Sequence, residues 1–253
     1  MDAAWENGRS VSDAFPGSAP GPVRFLVVRH GETLFNVMGK VQGWCDTPLT
    51  EKGIAEVEAL GRGLAGTEFV AAFSSDSGRA VQTLDRLLMA RQASAHDRFS
   101  GETMGGPLLR RADQRLREWC YGDFEGEPGE RLHVALDAGF GEMLSFEEHN
   151  RRLPEVADAI ADADRSGRAE RFDSIERRLR EFFVETGASV REKGGGSVLV
   201  VTHSFVIRTL IYLLDRARVN EPVKIPNASV TDIVYDGVSF VPGAIGSTAL
   251  FSR

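Results

Sequence analysis

Two of the chain's five histidines stand directly behind short apolar runs. His30 follows Phe25-Leu26-Val27-Val28 with Arg29 between, and His203 follows Ser197-Val198-Leu199-Val200-Val201-Thr202. Imidazole can act as a nucleophile, and guanidinium grips phosphate through paired hydrogen bonds. The Arg29-His30 pair therefore points to attack on a phosphoryl group. Arg79 is a further candidate, because Ser74-Ser75-Asp76-Ser77-Gly78-Arg79 lies at another junction between an apolar run and an amphipathic stretch, where a helix N-terminus favours an anion, although taken alone it reads as a surface cation. A phosphoryl group in transfer spreads negative charge over its equatorial oxygens, so cationic and N–H donors must surround it. Asn36 offers an uncharged donor, although by residue type it fits a cap equally well. Expelling an alkoxide also needs a proton donor.

For these side chains to meet, the runs before them must lie side by side as buried strands of one sheet. Open α/β sheets bind ligands in the crevice at the carboxyl ends of such strands. The remaining pattern fits that demand. Thr50 reads as a helix N-cap, followed by an apolar stripe through Ile54, Val57, Leu60 and Leu64. Residues 70–73 read as a second strand, and residues 78–91 as a helix with Val81, Leu84, Leu87 and Leu88 inward. Residues 94–107 read as a loop, and 108–116 as a short strand or irregular approach to Glu118. Charged helical pieces broken by glycines between about 124 and 170 read as a cap inserted over the site. An amphipathic helix over 172–190 precedes the His203 strand, and a helix over 206–214 follows it. Residues 231–235 and 239–241 form a hairpin around Asp236-Gly237. Alternating strands and helices predict a three-layer α/β/α sandwich with a mostly parallel sheet.

Composition narrows the function. A formal charge of −7 with no basic tract argues against nucleic acid. No apolar run approaches membrane-spanning length. Cys45 and Cys120 are too few for a disulfide framework, so a reducing cytoplasm is the default compartment. The five histidines (30, 96, 133, 149 and 203) show no ligand spacing, so neither a metal nor any other cofactor is implied. Residues 1–22 end in Pro16-Gly17-Ser18-Ala19-Pro20-Gly21-Pro22 and read as a flexible tail before a domain over 23–253. Trp5 and Phe15 in that tail are residues through which a homodimer could form.

Separated motifs then converge. Arg29-His30-Gly31-Glu32-Thr33 with Asn36, Gln42-Gly43 through Asp46-Thr47-Pro48-Leu49-Thr50, Ser74 through Thr83, Leu116-Arg117-Glu118 with Gly122 and Glu125-Gly126, and Val200-Val201-Thr202-His203 together resemble the histidine phosphatase superfamily, the phosphoglycerate-mutase-like proteins. The resemblance spans roughly residues 23–235. It implies that His30 becomes a phosphohistidine while Arg29, Arg79 and His203 hold the phosphate. His30 must be neutral to attack, and a hydrogen bond from its other ring nitrogen to backbone near Gly31 would orient it. Asn36, Thr33, Gln42, Gly43 and Ser204 complete the expected substrate-binding set, with Gly31 letting the backbone turn close to the phosphate. Some members place an Asp directly after the second histidine. Here that residue is Ser204, so Glu118 is the expected general acid, its carboxyl raised by the phosphate it faces. Trp44, Trp119 and Tyr121 could line a substrate wall or simply pack, and Arg208 is expected in a structural salt bridge. The implied activity is metal-independent hydrolysis of a small phosphorylated metabolite. A phosphomutase is the alternative, but it must exclude water and grip a second acidic group, and Arg151-Arg152 in a mixed-charge cap resembles the necessary pair only loosely. A phosphate-sensing module without turnover is disfavoured, since His30 and Glu118 are both retained.

Overall fold

In the computed structural model, residues 20–98 and 108–252 are described. Most of the expected tail, residues 1–19, and most of the expected loop, residues 99–107, lie outside them. Pro22 is tied in: its carbonyl accepts the Gly196 N–H at 3.1 Å.

Six strands form one sheet in the order β3-β2-β4-β1-β5-β6, comprising β1 (Val23–Arg29), β2 (Ala71–Ser74), β3 (Leu109–Ala112), β4 (Gly196–Thr202), β5 (Val230–Tyr235) and β6 (Phe240–Pro242). The first four are mutually parallel where they pair, whereas β5 and β6 run antiparallel. In the register of β1 with β4, Arg29 lies opposite Thr202, so the next residues, His30 and His203, leave the sheet side by side. Side chains alternate across a strand. Val23, Phe25 and Val27 of β1, with Val198 and Val200 of β4, accordingly face one apolar cluster, and Leu26, Val28, Leu199 and Val201 face a second. Being buried on both faces is why these strands read as unbroken apolar runs.

Helices cover both faces. Helix α2 (Glu51–Gly63) and α3 (Gly78–Arg98) supply Val57, Leu60, Leu84 and Leu87 to the second cluster. Helix α7 (Phe172–Glu192) and α8 (Ser204–Leu214) supply Ile175, Leu179, Phe182, Val206 and Leu210 to the first. Thr50 caps α2 as expected, its hydroxyl accepting the Gly53 N–H. The α3 helix runs to Arg98, seven residues past its expected end, because neither Gly nor Pro interrupts it between Arg91 and Arg98. Its inner face is Thr83, Leu84 and Leu87, with Val81 and Leu88 only partly covered.

Short α1 (Leu34–Val37) begins at a Thr33 capping box. Helices α4 (Gly129–Phe140), α5 (Phe146–Arg151) and α6 (Leu153–Ala163) make up the segment read as a cap. Asp164 clips its two ends together. One oxygen accepts the Asp123 N–H and the other the Arg168 and Ala169 N–H groups, at 2.7–3.0 Å. Among the described residues no helix is long and apolar enough to cross a membrane.

Candidate active site

At the ends of β1 and β4 the two imidazoles meet edge to face, their centroids 5.2 Å apart. Both are buried. His30 Nδ1 lies 2.8 Å from the Gly31 carbonyl, which can only accept, so Nδ1 carries the proton and Nε2 keeps its lone pair. Arg79 Nη2 approaches His203 Nδ1 at 3.0 Å and can only donate, so His203 holds the opposite tautomer, with its proton on Nε2. One ring is therefore set as a nucleophile and the other as a donor. Burial, reinforced by Arg79 and Arg29, keeps His30 neutral well below the usual 6.5; burial with Arg79 and His30 does the same for His203.

Arg79 is fully enclosed. Its Nη atoms donate to the Cys45 carbonyl, Asp46, the Gly43 carbonyl and His203 at 2.7–3.0 Å. Asp46 also receives the Arg79 backbone N–H at the start of α3. Arg29 reaches in the other direction, Nη1 donating to the Ile225 carbonyl at 2.5 Å, and burial lowers it to about 10, still protonated at neutral pH. After these anchors, Arg29 Nε, Arg79 Nε and His203 Nε2 remain buried donors with no hydrogen-bond partner among the described residues. Buried donors are ordinarily satisfied. Three orphaned donors around one neutral imidazole form a cradle for an anion's oxygens.

Asn36 is tied to the same place: its Oδ1 accepts the Thr33 N–H and Asn227 Nδ2, both at 3.1 Å, and Asn227 Nδ2 also donates to the His30 carbonyl. Thr33 and Gln42 are occupied with each other: the Thr33 hydroxyl donates to Gln42 Oε1 at 2.6 Å and Gln42 Nε2 donates to Thr47. They fix Asn36 and its loop instead of presenting free groups. Gly43 likewise acts through its backbone. A Cβ there would stand 2.2 Å from the Trp119 carbonyl, so only glycine lets this loop close on the irregular segment carrying Glu118. Gly31 serves packing, not backbone freedom: its φ is not positive, and a Cβ would stand 2.8 Å from Val57 on α2.

Glu118 is buried and lies at the N-terminus of α8. One oxygen accepts the Trp119 and Val206 N–H groups, and the other the Phe205 N–H, with the Ser204 hydroxyl at 3.4 Å. Burial lifts this carboxyl above its ordinary range, against the pull of the Phe205 and Trp119 amides and the two arginines.

Several contributors escaped the sequence reading. Glu125, quoted as motif but given no role, accepts four backbone N–H groups, from Gly43, Trp44, Cys45 and Tyr121. Arg178 on α7 donates to the carbonyls of Arg115, Arg117 and Glu118, and Trp44 Nε1 also donates to the Glu118 carbonyl. Asn227 and Ala228 both donate to the His30 carbonyl. Apart from the Tyr121–Glu125 contact, which spans four residues, these join positions 60 to 200 apart, and no local pattern announces them. Arg208 departs from expectation: among the described residues it makes no salt bridge but donates to the carbonyls of Val219, Pro222 and Val223. Trp119 is core, its Nε1 on Thr209, whereas Tyr121 sits close enough to feel the charges of Glu118, Arg79 and Arg29. Burial and Glu125 push the Cys45 thiol up to about 12, which disfavours the thiolate at neutral pH. No cluster of three or more metal-ligating side chains occurs among the described residues.

The sequence profile of the histidine phosphatase superfamily (branch 1) matches residues 25–246. A fructose-2,6-bisphosphatase TIGAR from Mus musculus is 30% identical over 222 residues, covering 78% of each chain. A glucosyl-3-phosphoglycerate phosphatase from Mycobacterium tuberculosis is 30% identical over 193 residues, covering 74% of this chain and 73% of the other. A crystal structure of phosphoglycerate mutase from Bacillus anthracis superposes with a TM-score of 0.81 at 32% identity, covering 92% of this chain and 97% of that one.

Proposed function

This chain belongs to the histidine phosphatase superfamily, and from that premise we propose that it hydrolyses the phosphate monoester of a small metabolite through a phosphohistidine on His30. The observation that carries the proposal is the opposed pair of tautomers. His30 Nε2 has a lone pair to give, while Arg29 Nε, Arg79 Nε and His203 Nε2–H are unpartnered donors beside it. In the first step Nε2 attacks phosphorus, and the cradle takes up the charge that spreads over the oxygens. Glu118 gives its proton to the departing oxygen, and an arriving phosphate dianion raises the carboxyl further in the direction burial has begun. In the second step water attacks the phosphohistidine, Glu118 accepts the water's proton, and inorganic phosphate leaves.

Both phosphatases and mutases occur among the relatives. Of the arginine pair that could have favoured isomerisation, Arg152 is engaged elsewhere, bonding Glu155 and lying 4.5 Å from the Phe140 ring, and Arg151 is exposed. Neither lines the cavity beside the cradle. That supports hydrolysis. Incubation with an aryl phosphate should release inorganic phosphate, and 3-phosphoglycerate should yield phosphate in preference to 2-phosphoglycerate. Faster formation of 2-phosphoglycerate than of phosphate would overturn the hydrolase reading.

A further inference from the structure

Arg117 directly precedes Glu118, and the two side chains leave the segment on opposite sides. The Arg117 backbone is extended (φ −55°, ψ 151°), so successive side chains alternate. Leu116 and Glu118 are buried, and Arg117 points outward. There its Nε and Nη2 donate to the two oxygens of Asp76 at 2.7 and 2.6 Å, a paired fork-to-carboxylate contact. The carbon of the same guanidinium lies over the Trp44 ring, 4.7 Å from its centroid. An isolated surface ion pair contributes little, but paired geometry within a network is the exception. Both side chains of this pair are mostly covered, at 28% and 26% exposure.

The three groups joined in this way sit on three segments, and each segment carries part of the site. Trp44 lies between Gly43 and Cys45, whose carbonyls hold Arg79. Asp76 is in the turn between β2 and α3, three residues before Arg79 itself. Arg117 adjoins Glu118, and Trp44 reaches across to the same place, its Nε1 donating to the Glu118 carbonyl at 3.0 Å. From α7, Arg178 donates to the carbonyls of both Arg117 and Glu118. The segment is thus gripped from α7 by Arg178 and from the outside by the Asp76–Arg117–Trp44 chain. The groups that set Arg29, His30 and His203 lie elsewhere, at Ile225, Gly31 and Arg79.

Resting on the hydrolase reading above, we propose that Arg117 is a positioning residue: bonded to Asp76 and lying over Trp44, it fixes Glu118 in register with the loop that holds Arg79, and so serves proton transfer to the leaving group. The cradle keeps its own anchors and binds phosphate without it. Charge alone does not do this. The fork makes two parallel bonds to one carboxylate while the same flat group lies over the indole, a combination that an ammonium cannot reproduce.

Phenyl phosphate and p-nitrophenyl phosphate separate proton transfer from phosphate binding, since phenol, with a pKa of about 10, needs the proton more than nitrophenol does. The kcat/KM for each, and calorimetric binding of inorganic phosphate, are measured for wild type, Arg117→Met and Arg117→Lys. Methionine keeps an apolar stem against the indole, and lysine keeps the charge without the fork. Misplacing a catalytic group by about 1 Å can cost on the order of 10²-fold, and with Arg178 still in place about tenfold is expected. Both variants should lose about tenfold on phenyl phosphate, change by less than about twofold on p-nitrophenyl phosphate, and bind inorganic phosphate as wild type does. Equal losses on the two esters, weakened phosphate binding, unchanged rates, or an Arg117→Lys variant that matches wild type would overturn the proposal. If wild type hydrolyses neither ester, the hydrolase reading fails, and carbon NMR titration of the Glu118 carboxyl still decides the role of Arg117. A pKa lower in Arg117→Met than in wild type, as the loosened segment admits water, supports that role, and identical titration overturns it.

Discussion

Replacing Glu125 by Gln removes one charge and one acceptor while leaving the side chain's shape. In the native protein its four hydrogen bonds divide evenly: Oε1 accepts Trp44 and Tyr121, Oε2 accepts Gly43 and Cys45, all at 2.8–3.0 Å. Glutamine's oxygen can keep one pair, and its amide nitrogen then faces the other two N–H groups, donor against donor. Two bonds to a charged acceptor at about 1.5–3 kcal/mol each would sum to about 3–6, and partial exposure reduces the loss to about 2–4 kcal/mol. The damage reaches the site, because the loop pinned by Glu125 presents the Gly43 and Cys45 carbonyls that hold Arg79. Misplacing a charged group by about 1 Å can cost on the order of 10²-fold in rate. Guanidinium unfolding followed by tryptophan fluorescence reads the first effect, and kcat/KM for an aryl phosphate reads the second. A variant within about 0.5 kcal/mol of wild type, with unchanged kcat/KM, would refute the assignment of Glu125 as the staple of the phosphate loop.

Glu118→Gln should lower turnover by roughly 10²–10⁴-fold, the usual contribution of a general acid, and more for alkyl than for aryl phosphates, whose leaving groups need little protonation; equal losses for both would assign the proton donor elsewhere. Stability should fall with pH. His30, His203 and His149 all sit below their usual 6.5 in the folded protein, so below that pH the unfolded chain binds protons that the native chain refuses. The loss begins as pH falls through 6.5 and continues down to the native values, at up to about 1.4 kcal/mol per pH unit for each histidine. Glu118, raised by burial, acts in the opposite sense over its own window. Urea midpoints should therefore decline from pH 7.5 to 5.5, and a flat profile would contradict the buried neutral histidines.

What the sequence made legible was whatever local periodicity or a strand end encodes. His30, His203 and Arg79 were readable because each follows a buried strand, and the α/β architecture because β1 and β4 are apolar on both faces. The His30 hydrogen bond to Gly31 was also readable, since it spans adjacent residues. The supports were not. Glu125, Arg178 and Asn227 act on backbone atoms far away in sequence, and a carboxylate or amide gives no sign beforehand of which N–H it will meet. Arg208 shows the same limit from the other side: an arginine on a helix suggests a carboxylate partner, yet the turn after α8 offers bare carbonyls instead. The ends of elements were blurred for a simpler reason. The α3 helix continues past Arg91 through residues with no preference strong enough to stop it.

The central claim is that His30, and not His203, carries the phosphoryl group. Rapid chemical quench of the wild-type protein with a substrate labelled in its phosphate, followed by peptide mapping under alkaline conditions, observes that intermediate directly. The account predicts acid-labile phosphate on the peptide containing His30, absent in His30→Ala and present in Glu118→Gln assayed with an aryl phosphate. Label on His203, or steady turnover with no labelled histidine at any quench time, would contradict it.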